Sequence, residues 1–189
     1  MKGILLGFVL TLLVAVAAGY ILVRSGYVPA NADAAPGQLE TWMASTSLDA
    51  TLHRLAPKNS NPVAATDQNL SEGVQLFAQN CALCHGSAKG TEVASPIAKG
   101  LYQKPPQFAT DGVEDDPEGN SFWKIKHGIR LTAMPSFAQT LDDRQIWTIA
   151  LFLKHMDKLP PIAQAKWEGV QNWPSPTLSG INAPAPETP

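Results

Sequence analysis

The stretch Cys81-Ala82-Leu83-Cys84-His85 holds both cysteines of the chain and one of its four histidines within five consecutive positions. On a helix, residues three apart lie on one face, so two sulfurs at this spacing can bond the same planar group. The histidine that follows can then turn its imidazole toward the centre of that group. This is the C-x-x-C-H pattern of covalent haem attachment, with two thioethers to the vinyl groups and an imidazole on the iron. Three other chemistries use similar residues. A thioredoxin-like redox pair sits where a strand enters a helix, and no strand–helix alternation surrounds residues 81–85. A structural zinc site wants a second pair of Cys or His ligands at short spacing, which the chain lacks. A plain disulfide between Cys81 and Cys84 leaves His85 without a purpose.

The surroundings of the motif are helical. Asn69-Leu70-Ser71-Glu72 predicts an N-cap and capping box for a helix running into it, with Gly73 and Phe77 on one face and Leu70, Val74 and Leu76 adding apolar area. Downstream, Asp142-Asp143-Arg144-Gln145 forms a second box. It opens a helix whose broad apolar face holds Ile146, Trp147, Ile149, Ala150, Leu151, Phe152 and Leu153, with an end expected near Lys158, before Pro160-Pro161. Between the two, Ser121 to His127 (SFWKIKH) reads as a short third helix closed by Gly128.

On these residues, positions 67–160 resemble a class I cytochrome c domain. The resemblance implies an all-α fold: a small cytochrome c fold of about three to four helices around one covalent haem c. In that family the first and last helices cross through a small residue and aromatics, and Gly73, Phe77, Trp147 and Leu151 match those positions. The family's second iron ligand is a methionine beside a proline, matched by Met134-Pro135 within Thr132-Ala133-Met134-Pro135-Ser136-Phe137. Cys81 and Cys84 are thereby expected as haem thioethers, His85 as the proximal iron ligand and Met134 as the distal one. A backbone carbonyl, often from proline, accepts the proximal ring proton in the family, and Pro96 is the candidate here.

The other candidates for the distal position fit less well. Met1 and Met43 precede the domain, and Met156 lies in the last helix, where core packing is the better reading. His127 would give bis-histidine ligation and a lower potential, but reads as the polar end of the short helix or a surface group. His155, on the closing helix, and His53 read as solvated. The segments Ser95-Pro96-Ile97 and Gly100-Leu101-Tyr102 to Pro105-Pro106 are placed to wall the porphyrin, and Arg130, Trp123 and Tyr102 are candidates for its propionates. The acidic run Glu114-Asp115-Asp116-Pro117-Glu118 reads as a solvated loop rather than a docking surface.

The ends of the chain are of another character. Gly3 to Val23 is an uncharged run of 21 residues between Lys2 and Arg24, roughly 31 Å as a helix and so matched to a bilayer core. A signal peptide cleaved near Ala15-Val16-Ala17 is the rival reading, disfavoured because apolar residues continue through Tyr20, Ile21, Leu22 and Val23. The expected organisation is an N-terminal membrane anchor over 1–24 and a linker with short helices over 25–66. A cytochrome c domain over 67–167 and a Pro-rich disordered tail over 168–189 follow. Within the linker, Leu48, Leu52 and Leu55 behind Ser47 predict one short helix, and Leu39, Trp42 and Met43 an apolar patch expected to pack on the domain.

The chain has 189 residues, 16% of them charged, and a net charge of −2, which excludes a basic nucleic-acid binder. Haem is attached outside the cytoplasm, so the C-terminal haem domain is expected in the periplasm, with a single-pass anchor in the inner (cytoplasmic) membrane. Taken whole, the chain resembles bacterial membrane-anchored one-haem cytochromes. The resemblance implies single-electron transfer at the periplasmic membrane surface, with membrane redox complexes or other cytochromes as donor and acceptor. The alternatives are a fixed haem subunit of a larger respiratory complex, or a haem sensor or enzyme with an open axial site.

Overall fold

The computed structural model describes residues 2–90 and 94–171. Most of the tail expected beyond residue 168, including Pro174, Pro176, Pro184, Pro186 and Pro189, lies outside the described residues. The chain divides into two units, Met1–Pro36 and Gly37–Pro189. The first contains helix α1 (Lys2–Arg24), none of whose residues is buried. It is long and apolar enough to cross a membrane, a property that signal sequences share.

The second unit is all-helical among the described residues: α2 (Gln38–Leu55), α3 (Asp67–Asn80), α4 (Ala82–His85), α5 (Pro96–Gly100), α6 (Phe108–Asp111), α7 (Glu118–His127), α8 (Asp143–Lys154) and α9 (Pro161–Glu168), with a 3-10 turn at Met156–Lys158. Three of these are the helices expected from the sequence. The Asp142 box is complete: its carboxylate accepts from Gln145 N–H at 2.8 Å, and the Gln145 side chain accepts from Asp142 N–H at 3.0 Å. α7 stops at Gly128, whose φ of +69° a residue with a Cβ adopts only under strain. α3, however, starts earlier than Asn69. Its cap is Thr66, whose hydroxyl accepts from Asn69 N–H at 3.2 Å, while the Asn69 side chain donates to Ala64 O.

The core is the crossing of α3 with α8, closed by α7 and α9. A Cβ on Gly73 would lie 2.6 Å from Cβ of Phe152 and 2.7 Å from the carbonyl oxygen of Thr148, so only glycine lets the two backbones approach this closely. Phe77, Phe152 and Trp167 form a triangle of edge-on rings with centroids 5.3–5.6 Å apart. Trp147 stacks on Phe122 of α7 at 4.3 Å, and Leu151 is buried. On the surface of the crossing Arg144 pairs with Glu72 at 2.7 Å, and this hydrogen bond holds the Glu72 carboxyl below its ordinary pKa. α9 is not anticipated by the sequence reading. Pro161 opens it, and it buries Ala163 and Trp167, with Val170 following into the core.

Residues 37–66, expected as a linker with short helical pieces, fold with this second unit. α2 runs unbroken through Ser47, which is therefore not a cap, and its C-terminal half buries Leu52 and then Ala56. A Cβ on Gly119 would lie 2.0 Å from the carbonyl oxygen of Pro57, so the stretch of chain leaving α2 lies directly on the backbone of α7. Asn61 continues the attachment, donating to Glu118 Oε1 at 2.8 Å and to the Trp147 carbonyl at 3.0 Å. Leu39, Trp42 and Met43 do not pack on the domain as expected. They remain 68, 62 and 57% exposed, because only the far half of α2 reaches α7.

Candidate haem site

The motif straddles a break between two helices. Cys81 ends α3 and caps α4, and its carbonyl accepts from Cys84 N–H at 3.0 Å and His85 N–H at 2.9 Å. That single turn sets Cys81, Cys84 and His85 beside one another. Cys81 is buried and Cys84 half-buried, and neither is in a disulfide. Burial pushes the Cys81 thiol up to about 12 and raises that of Cys84, the reverse of the lowered thiol pKa on which a thioredoxin-like pair depends. Among the described residues no group of three or more His, Cys, Asp or Glu side chains is arranged to hold a metal ion.

His85 is held from two directions. Its Nδ1 lies 3.0 Å from the carbonyl oxygen of Pro106, and its ring stacks on Phe108 at 4.4 Å with 3° between the planes. A carbonyl only accepts, so Nδ1 carries the proton and Nε2 presents its lone pair. Burial lowers the pKa of the ring and favours the neutral form that binds metal. Phe108 in turn meets Phe77, 6.1 Å between centroids, which ties the histidine's platform to the core.

The carbonyl on His85 thus belongs to Pro106 and corrects the expectation for Pro96. Pro96 instead opens α5, where its carbonyl points along the helix, and Ser95 before it caps that helix and donates to the Leu83 carbonyl. The usable signal in the sequence is the Pro105-Pro106 pair, a stiff segment whose carbonyls have no helix to enter. Gln107, missed altogether, fastens that segment: its Nε2 donates to the Cys84 carbonyl at 2.8 Å and the Pro105 carbonyl at 3.1 Å. Gly86, at φ +83°, makes room for it, since a Cβ there would lie 2.6 Å from Gln107 Oε1.

Met134 comes from the loop after α7. It is half-buried against the core, followed by Pro135, and the loop is pinned where Phe137 N–H donates to Ile125 O at 3.1 Å. The other candidates are engaged elsewhere. His127 is exposed at the end of α7 with its ring against Trp123, and the Nδ1 of His155 lies 2.9 Å from Leu151 O. Tyr102 donates its hydroxyl proton to Glu40 at 2.7 Å, and Arg130 is exposed. The acidic run is used locally, Asp116 pairing with Lys124 and Glu118 accepting from Asn61.

Two buried polar atoms beside the motif, Ser87 Oγ and Gln107 Oε1, have no hydrogen-bond partner among the described residues. Together with two adjacent thiols and an imidazole whose Nε2 presents its lone pair, the residues fit a covalently bound haem.

The family model described as cytochrome C oxidase, cbb3-type, subunit III matches residues 68–153. A nicotinate dehydrogenase subunit of Pseudomonas putida is 30% identical over 104 residues, which are 51% of this chain and 8% of that protein, so the chain spans a small fraction of this relative. A chain of the reducing HAO-like protein complex of Kuenenia stuttgartiensis is 22% identical, with a TM-score of 0.40, over 55% of this chain and 52% of that one. With the helical crossing and the motif, the family match makes this part of the chain a class I c-type cytochrome domain, whose cofactor is covalently attached haem c.

Proposed function

We propose that the chain is a membrane-anchored, one-haem electron carrier. Cys81 and Cys84 form the thioethers, His85 is the proximal ligand and Met134 the distal one. The haem supplies an iron that alternates between ferric and ferrous states. The protein's part would be to supply both iron ligands, His85 and Met134, from its own side chains, leaving no ligand bond to form or break as an electron passes. The observation that carries this reading is the pose of His85: the Pro106 carbonyl fixes its tautomer and Phe108 its plane. A thioether ligand from Met134 would raise the potential.

α1 anchors the carrier in the inner membrane with Lys2 on the cytoplasmic side, and the haem domain faces the periplasm. Its partners are membrane redox complexes or other cytochromes. A second reading, a fixed haem subunit, is favoured by the names of two of the matches, an oxidase subunit III and a subunit of a dehydrogenase. Co-purification in fixed stoichiometry separates it from a free shuttle.

The test is the optical spectrum of the haem-loaded full chain, oxidised and reduced, beside Met134→Ala. A low-spin spectrum with a weak far-red methionine–iron band, lost in the variant, is expected. High-spin iron, or ready carbon monoxide binding by the unmutated ferrous protein, overturns the carrier reading in favour of a sensor or enzyme.

A further inference from the structure

We propose that Thr132 is a positioning residue for Met134, acting through a closed ring of backbone hydrogen bonds; the inference rests on Met134 as the distal ligand. Four bonds make the ring. Ile129 N–H donates to the Met134 carbonyl at 3.1 Å, and the Ile129 carbonyl accepts from Thr132 N–H at 3.2 Å and from the Thr132 hydroxyl at 2.8 Å. The same hydroxyl oxygen accepts from Met134 N–H at 3.1 Å. Thr132 Oγ1 thus both donates and accepts, and it is the only side-chain atom in the circuit. Removing it leaves the Met134 amide without a partner.

The neighbours show that the loop depends on this circuit. Leu131 stands at φ +61°, a conformation that crowds any side chain with a Cβ, and it is 91% exposed, so no packing holds it there. Bonds on either side of it must do so. Gly128 closes the base of the ring: a Cβ there would lie 2.8 Å from the Met134 carbonyl oxygen and 2.7 Å from the carbonyl carbon of Pro135. Pro135 further restricts the Met134 backbone to extended conformations. With glycine at one end, proline at the other and the threonine hydroxyl across the middle, Met134 has one backbone pose from which to present its sulfur.

The test compares Thr132→Val, which keeps the shape and loses the hydroxyl, with Thr132→Ser, which keeps the hydroxyl, in the haem-loaded full chain beside Met134→Ala. Thr132→Val is expected to weaken the far-red band and to speed carbon monoxide binding to the ferrous protein by about tenfold, the effect of one lost hydrogen bond on the population of detached methionine. Thr132→Ser is expected to restore both. Helical circular dichroism and haem content, unchanged across the series, separate positioning from misfolding.

A second reading needs no variant. In the ferrous protein the Met134 amide is expected to exchange its hydrogen much more slowly than that of exposed Ala133. A Thr132→Val protein with the native band and native carbon monoxide rate, or a Met134 amide that exchanges as fast as Ala133, overturns the proposal while leaving Met134 as ligand. If Met134→Ala keeps the native spectrum, the ligand assignment fails and the positioning role falls with it.

Discussion

The two sides of the haem site are built differently. His85 leans on the core: Phe108 stacks on it, Phe77 meets Phe108, and Phe77 is itself among the most deeply buried residues of the molecule. Met134 hangs in a loop whose tip, Leu131, is almost fully exposed and whose shape is kept by hydrogen bonds among six consecutive residues. The proximal side inherits the rigidity of a packed interior, where displacement of any ring opens a void. The Met134 side relies mainly on local geometry, with Met134 and Phe137 only partly buried against the core. Under the proposed ligation, a change in the Met134 loop leaves the fold undisturbed, whereas His85 moves only when the core does.

That contrast can be broken from the proximal side first. Phe77→Ala removes the ring that joins Phe108 to Phe152 and Trp167, and is expected to cost about 3–5 kcal/mol of unfolding free energy. Denaturant unfolding of the haem-loaded chain measures it, and the loss of the His85 environment should accompany global unfolding rather than precede it. A variant less destabilised than Met134→Ala would show that the histidine side does not rest on the core. Gln107→Leu is milder, at about 1–3 kcal/mol, because two carbonyls near the motif lose their donor. Its mark is faster amide exchange confined to residues 84–111, with the Met134 loop unaffected.

The smallest effect belongs to the surface pair, which touches neither side. Glu72 has its pKa lowered by Arg144, so its contribution is complete above the ordinary carboxylate range and disappears as pH falls through its lowered folded value. Arg144→Met is expected to return the Glu72 titration, followed by carboxyl NMR, toward the ordinary value. The acid limb of the stability curve flattens slightly, and the haem spectrum stays unchanged. A spectral change would mean that the α3–α8 surface is coupled to the site.

What the sequence could and could not show follows from range. The Asp142 box, the Gly128 stop and the C-x-x-C-H turn are local devices, fixed by residues three or four apart, and the structure holds all of them. Where two local signals competed, the reading slipped. Thr66 and Asn69 are both capping residues, and the earlier one starts the helix. Ser47 has the chemistry of a cap, yet α2 passes through it. The partner of His85 lies 21 residues away, and the burial of Trp167 depends on α3. No periodicity reports such pairings, which arise only when distant segments meet.

The close approach of Pro57 to Gly119 bears on modularity. A C-x-x-C-H domain is readily imagined as an interchangeable cassette that begins at the first helix of the haem fold. Here the cassette has a longer leading edge. Cutting the chain just before α3 would uncover the backbone of α7 at Gly119 and strip the Trp147 carbonyl of its Asn61 donor. The portable piece therefore begins near Gly37, and whatever precedes the cytochrome in a natural or artificial fusion must join it ahead of α2.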